Sequence, residues 1–256
     1  MLKFYKYQGA GNDFVIIDNR QGKVVLNQKQ IEKLCDRRFG IGADGLMLLN
    51  SSDKYDFEMV YFNSDGNEST MCGNGGRCIV KFAQNLGLVS DKTVFIAIDG
   101  EHDATVLPNG EVELGMKNVD SILTENHLFA DTGSPHVVVK LNDIDNINII
   151  EEAHRIRYSD EYKSEGTNVN FIEVQNDLIK IRTYERGVED ETLACGTGVT
   201  AAALIAFNQG WIVNENIKVQ AKGGMLSVKF DFRNNGFESV YLTGPAEFVF
   251  EGEINV

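Results

Sequence analysis

The sequence predicts an α/β chain of the α+β kind: two pseudo-symmetric halves from an internal duplication, each a central helix wrapped by mostly antiparallel strands. Three observations predict it. First, a segment is written twice. Tyr61 to Cys72 and Tyr184 to Cys195 are equal in length, and each ends in a cysteine followed by a glycine turn, Cys72-Gly73-Asn74-Gly75 and Cys195-Gly196-Thr197-Gly198. Second, the offset of 123 residues between the cysteines is close to half of the 256-residue chain, and other landmarks keep it within one residue. Gly11-Asn12-Asp13-Phe14 aligns with Gly133-Ser134-Pro135-His136, Gly42-Ala43-Asp44 with Gly166-Thr167-Asn168, and Asp99-Gly100 with Lys222-Gly223. Two copies are too few for a solenoid, so two fused homologous domains remain. Third, strand-like runs dominate and many alternate, as in Val112-Glu113-Leu114-Gly115-Met116, the pattern of half-buried antiparallel strands.

The first half carries strand runs at Phe14 to Asp18, Leu46 to Leu49, Phe57 to Phe62, Val94 to Ile98 and Val112 to Met116. Val137 to Leu141, Asn170 to Val174, Leu178 to Tyr184, Leu226 to Phe232 and Val240 to Thr243 follow in the second. Three helices are expected in each half. The clearest begin at the cysteine turns, Gly76 to Leu86 and Gly198 to Asn208, and stop at Gly87 and Gly210, residues suited to a helix C-terminus. Ala201 to Ala206 is apolar nearly all round, which places that helix inside its domain. The boundary falls near Val119, giving halves 1–118 and 119–246.

Composition excludes several classes. The net charge of −14 opposes nucleic-acid binding, which needs clustered Lys and Arg. No stretch approaches the apolar length of a membrane span. The start, Met1-Leu2-Lys3-Phe4-Tyr5-Lys6, lacks the apolar run of a signal peptide. Four cysteines without such a signal point to a reducing cytoplasm and to thiols rather than disulfides.

A glycine-rich turn that opens a helix presents several backbone N–H groups with no partner in the helix. Together with the helix dipole these bind an anion such as a carboxylate. The same field lowers the pKa of a cysteine at that end from its ordinary value of about 8.5, populating the thiolate. One such cysteine would read as a buried structural residue; two, at equivalent repeat positions, read as functional. A thiolate on one side of a carbon removes its proton, and a thiol on the other side delivers one to the opposite face. Configuration inverts, with neither metal nor pyridoxal phosphate. Cys35 and Cys78 lack the glycine context and read as structural.

The chain resembles the diaminopimelate epimerases, cofactor-independent amino-acid epimerases of lysine synthesis. The resemblance rests on Gly9-Ala10-Gly11-Asn12-Asp13-Phe14, Met71-Cys72-Gly73-Asn74-Gly75-Gly76-Arg77-Cys78, Gly133-Ser134-Pro135-His136, Asn168-Val169-Asn170-Phe171, Glu185-Arg186-Gly187 and Ala194-Cys195-Gly196-Thr197-Gly198, which run from end to end. It implies interconversion of LL- and meso-2,6-diaminopimelate in lysine and peptidoglycan precursor synthesis, with Cys72 and Cys195 as acid and base. Gly73, Asn74, Gly196 and Thr197 would hold the carboxylate at the reacting centre. Asn12, Asn63, Ser134, Asn168 and Arg186 would read the distal amino-acid group, and His136 and Glu185 would tune the thiols or relay protons. Ser134 stands where the family commonly carries Asn and offers one hydroxyl in place of an amide. The resemblance further implies a β-barrel around a central helix in each domain, a last strand at about 247–256 returning to the first domain, no cofactor or metal, and a cytoplasmic homodimer.

Other patterns read as structural. Gly40-Ile41-Gly42-Ala43-Asp44-Gly45 matches G-x-G-x-x-G, but it follows a helix-like run and precedes a strand, the reverse of a dinucleotide site. Cys72 and Cys78 have no second pair to complete a zinc spacing. His102, His127 and His154 lack a partner pattern, and Glu189-Asp190-Glu191 reads as a solvated loop. Within the same chemistry, a proline-type racemase is the nearest rival; it has no use for the Asn12, Asn63, Asn168 and Arg186 set. A thiol redox protein is the rival of another class, but no Cys-x-x-Cys is present.

Overall fold

The computed structural model describes residues 1–256. The chain forms two compact units, one of Met1–Leu114 with Gly244–Val256, the other of Gly115–Thr243.

In the first unit, β1 (Leu2–Gly9) and β2 (Asn12–Asp18) make a hairpin. Its two turn residues, Ala10 and Gly11, both have positive φ, the backbone of a turn whose twist matches the strands. Helix α1 (Gln28–Cys35) starts at a capping box between Asn27 and Gln30 and carries the chain across, so that β3 (Gly45–Asn50) lies parallel to β2. β4 (Glu58–Asn63) returns antiparallel, with the short β5 (Glu68–Ser69) beside it. Helix α2 (Gly73–Asn85) leads to β6 (Lys92–Ala97), parallel to β4, and β7 (Gly100–Val106) and β8 (Val112–Gly115) follow antiparallel. The terminal strand Glu247–Ile254 lies antiparallel on β1.

α2 packs on β1, β2, β3, β7 and the terminal strand and is buried from Gly73 to Val80. Strand β3 shows why its run reads as continuously apolar. Leu46 and Leu48 join Ile31 and Leu34 of α1 in one cluster, while Met47 lies toward Gly75 of α2. A strand covered on both faces has no polar side to alternate with.

The second unit repeats the order. β9 (Leu128–Asp131) and β10 (Pro135–Lys140) pair antiparallel, and α3 (Ile149–Arg157) crosses to β11 (Asn168–Gln175), parallel to β10. β12 (Leu178–Glu185) and β13 (Asp190–Thr192) return antiparallel. α4 (Gly196–Asn208) leads to β14 (Asn216–Ala221), parallel to β12, with β15 (Gly224–Arg233) and β16 (Gly236–Gly244) antiparallel beyond it. α4 packs on β9 to β12, β14 and β15. Both buried helices end alike. Gly87 and Leu88 donate to Gln84 O and Ala83 O, and Gly210 and Trp211 donate to Phe207 O and Ala206 O, with left-handed φ of 68° and 67° at the two glycines. These are paired Schellman caps.

Four features depart from the sequence reading. Each unit contains two parallel strand pairs, because each helix is a crossover that carries the chain back, so that the next strand runs in the same direction. Two helices form per unit, not three. The remaining helical stretches are isolated turns, one from Asp36 to Gly40 and two in succession from Ser159 to Gly166, the latter ended by left-handed Gly166. The central helices begin at Gly73 and Gly196, earlier than Gly76 and Gly198, since the glycines form the first turn. The run Glu189-Asp190-Glu191 is not a solvated loop: Asp190 and Glu191 lie in β13, Glu191 pairs with Arg182 and Lys222, and Glu189 with Arg157. No helix is long and apolar enough to cross a membrane.

Candidate functional site

Cys72 and Cys195 are the N-cap residues of the two buried helices. Both have extended backbones, φ −95°, ψ 131° and φ −112°, ψ 111°, and neither sulfur caps the helix. Their carbonyls instead accept the first helical bonds, from Gly76 N at 2.7 Å and Val199 N at 2.9 Å. Each thiol is thus held at the mouth of a glycine-rich first turn, where the positive end of the helix dipole favours negative charge. Cys72 is half-buried and Cys195 is 7% exposed. Burial pushes the thiols of Cys35 and Cys78 up to about 12, which keeps both inert, as expected of structural cysteines.

In the first unit Cys72, Asn74 and Asn12 come together. Asn12 Oδ1 accepts from Asn74 Nδ2 at 3.2 Å and lies 3.7 Å from Cys72 Sγ. Its amide is aimed by Asp44, whose Oδ2 accepts from Asn12 Nδ2 at 2.6 Å. Asp44 is braced by Arg37, which also forks onto Asp13. Burial pushes the Asp13 carboxyl up, but the bonds from Arg37 and Lys6 outweigh it and hold the pKa at about 2. Behind Asn74 sits Arg77, fully buried, donating to Gly73 O, Asn74 Oδ1 and Pro245 O. Asn63 ends β4, exposed, where its backbone closes the turn to β5.

In the second unit Cys195, Thr197 and His136 come together. Thr197 Oγ1 is 3.4 Å from Cys195 Sγ and 2.9 Å from His136 Nε2. His136 is wholly buried, and burial pushes its pKa down to about 3. The imidazole is therefore neutral near pH 7. Asn168 and Arg186 form a second group: Asn168 Nδ2 donates to Pro135 O at 2.9 Å, its Oδ1 accepts from Arg186 N at 2.8 Å, and Arg186 Nη1 donates to Glu165 O at 2.9 Å. Ser134 and Glu185 are half-buried, just before β10 and at the end of β12.

Sequence reasoning gave no role to Arg37, Arg77, Asn170 or Thr183. Two signals were available. Asn170 shares a strand face with Asn168 by the period of two, and Arg77 sits one helical turn beyond Asn74. No three His, Cys, Asp or Glu side chains converge in a way that would hold a metal ion.

A sequence profile described as Diaminopimelate epimerase matches residues 4–122 and 128–249. The chain is 52% identical over 256 residues to the diaminopimelate epimerase of Flavobacterium psychrophilum, covering 99% of this chain and 100% of the relative. The chain belongs to the diaminopimelate epimerase family. It is also 40% identical to the diaminopimelate epimerase of Aquifex aeolicus, covering 99% of this chain and 98% of that one. Among solved structures, a phenazine biosynthesis protein of the PhzF family from Bacillus anthracis superposes with a TM-score of 0.71 at 16% identity, covering 100% and 99% of the two chains. A hydroxyproline epimerase from Agrobacterium vitis gives 0.70 at 14% identity, covering 98% and 91%. At such identities these two show the fold alone. The family match therefore carries more than fold, and it falls in two segments that follow the repeat.

Proposed function

We propose that this chain inverts one centre of LL-2,6-diaminopimelate to give the meso form, without a cofactor, in lysine and peptidoglycan precursor synthesis. One observation carries the reading: two cysteines stand at the N-caps of equivalent helices in the two repeats, each beside a first turn rich in N–H donors. A thiolate takes the Cα proton. The electron pair left behind spreads onto the adjacent carboxylate, where the helix N-termini offset its charge. The opposing thiol delivers its proton to the other face. One cysteine gains a proton and the other loses one, so the reverse reaction starts from the exchanged state.

In this reading Cys72 and Cys195 are the acid–base pair. Gly73, Asn74, Gly196 and Thr197 hold the reacting carboxylate. Asn12, Asn63, Ser134, Asn168 and Arg186 take the distal amino-acid group, the guanidinium suiting a carboxylate. His136 and Glu185 tune the thiols. The enzyme works in the cytoplasm as a homodimer, which sedimentation at micromolar concentration tests. The decisive experiment incubates reduced protein with LL-diaminopimelate in D2O and follows the Cα protons by NMR. Meso product with deuterium at one centre is expected; no exchange with both thiols reduced overturns the substrate assignment.

A further inference from the structure

Behind Cys195 lies a chain of hydrogen bonds whose direction is fixed. Asn170, buried on β11, has its Nδ2 3.0 Å from Val137 O and its Oδ1 2.9 Å from the Thr183 hydroxyl. A backbone carbonyl only accepts, so the amide nitrogen must face it and the amide has one orientation. Its second proton points at His136 Nδ1, 3.1 Å away. Nδ1 therefore accepts. The neutral imidazole has a single ring proton, which sits on Nε2 and is donated to Thr197 Oγ1 at 2.9 Å. A hydroxyl that accepts from the ring keeps its own proton to give, and Cys195 Sγ lies 3.4 Å away.

We propose that Asn170 is a positioning residue for Cys195: by fixing the tautomer of His136 it aims the Thr197 hydroxyl proton at the Cys195 sulfur. The proposal rests on Cys195 being one of the two proton carriers. It gives both of that residue's states a use. As thiolate, Cys195 receives a donor that stabilises it. As thiol, it finds its lone pair engaged by Thr197, and its proton is left to point elsewhere, at the substrate carbon. With the proton on Nδ1 the chain would run backwards. Thr197 would donate to His136 and accept from Cys195, drawing the thiol proton away from the carbon.

The backbone leaves room for this arrangement. A Cβ at Gly198 would stand 2.4 Å from Asn170 Oδ1 and 3.3 Å from His136 Cε1, so the glycine in the turn lets the amide approach the helix. The charges around the chain are few. Asp131 on β9 favours an imidazolium and Arg186 after β12 opposes it. Glu185 ends β12. On the other strands packed against α4, Lys140 lies over Trp211, Arg182 pairs with Glu191, and Lys218 is exposed.

Imidazole-labelled protein, examined by 15N NMR, tests the tautomer without any substrate. His136 is expected as the Nε2–H form in the wild type, and as a mixture in Asn170→Leu. An Nδ1–H form in the wild type overturns the proposal. The second readout is the rate of Cys195 alkylation against pH, resolved by peptide. Thr197→Ser should keep the wild-type profile, while Thr197→Val slows Cys195 about tenfold at neutral pH, Asn170→Leu slows it less in proportion to the tautomer lost, and both leave Cys72 unchanged. Equal Cys195 rates in Thr197→Val and wild type also overturn it. The substrate reading fails separately: no deuterium enters diaminopimelate although the tautomer and alkylation results hold.

Discussion

Arg77 Nη2 donates to Asn74 Oδ1 at 2.8 Å, and the guanidinium that does so is wholly buried with only neutral oxygens as hydrogen-bond partners. Burial lowers its pKa, the charge of Glu111 acts against that, and arginine stays protonated. A buried cation with no carboxylate hydrogen-bonded to it is expensive, and Glu111 acts on it only through its field, so its retention behind Asn74 points to a use. It fixes the Asn74 amide toward Asn12 and adds positive charge beside the first turn of α2.

Replacing Arg77 by methionine therefore separates function from stability. Three acceptors lose their donor, at about 1–3 kcal/mol each in the worst case, but the desolvated charge is removed as well. We expect the melting temperature to move little while kcat falls about tenfold or more. Arg77→Lys keeps the charge without the fork and should fall between. A variant that unfolds outright, or one with full kcat, would show that Arg77 is structural.

The two cysteines should behave as a unit. Cys72→Ser and Cys195→Ser each replace a thiol by a hydroxyl of far higher pKa at a helix start, with little change in shape. Each is expected to cut epimerisation by about a thousandfold or more, in both directions, since either half-reaction needs both groups. The double variant should be no worse than the singles. Coupled measurement of turnover and Cα deuterium exchange checks this; retained turnover in one single variant would sink the two-base reading.

His136 sets an acid limit on stability. Burial pushes its folded pKa down to about 3 from the ordinary value of 6.5. The unfolded chain therefore binds this proton first, and stability is lost as pH falls from 6.5 toward 3. Between pH 6.5 and 5 the loss is about 2 kcal/mol. Asp13 acts lower: its stabilisation is present above 3.8 and lost as pH falls toward about 2. Urea unfolding at pH 7 and pH 5 should show the larger loss in wild type and a smaller one in His136→Gln. Equal losses would place the titrating group elsewhere.

How much of this was legible in the sequence depends on what each residue answers to. The duplication and the cysteine turns were, because the repeat preserves spacing and a glycine turn has a local cause. Ten strand runs were, because alternation and short apolar runs are local too. Strands β1, β5, β7, β9, β13 and β14 were not singled out. β5 and β13 are only two and three residues long, and β1 mixes Lys3, Lys6 and Gln8 into its apolar run because Lys6 is buried against Asp13. The parallel pairing escaped as well, since it depends on where a crossover helix lands. Of the site, Asn12, Asn74, His136 and Thr197 were found through the resemblance. Asn170 and Arg77 were quoted inside its motifs, but their roles come from an amide orientation and a buried charge, which no spacing reveals.

Gly75 and Gly198 hold the same place in the two repeats, three residues after each cysteine, yet their surroundings differ. A Cβ at Gly75 would meet Met47 Sδ at 3.3 Å and Phe14 Cζ at 3.5 Å, the first the flexible end of a side chain. A Cβ at Gly198 would meet the Asn170 amide at 2.4 Å, and that amide is held by Val137, Thr183 and His136. Gly75→Ala should be tolerated, within about 1 kcal/mol of wild type, because alanine also favours the helix. Gly198→Ala must push Asn170 off its partners, at about 1–3 kcal/mol for the buried groups left unpaired, and should lower kcat as the His136 tautomer is released. Urea midpoints and kcat for the pair read this directly. Equal effects at the two glycines would mean that the Asn170 amide yields without cost and orients nothing.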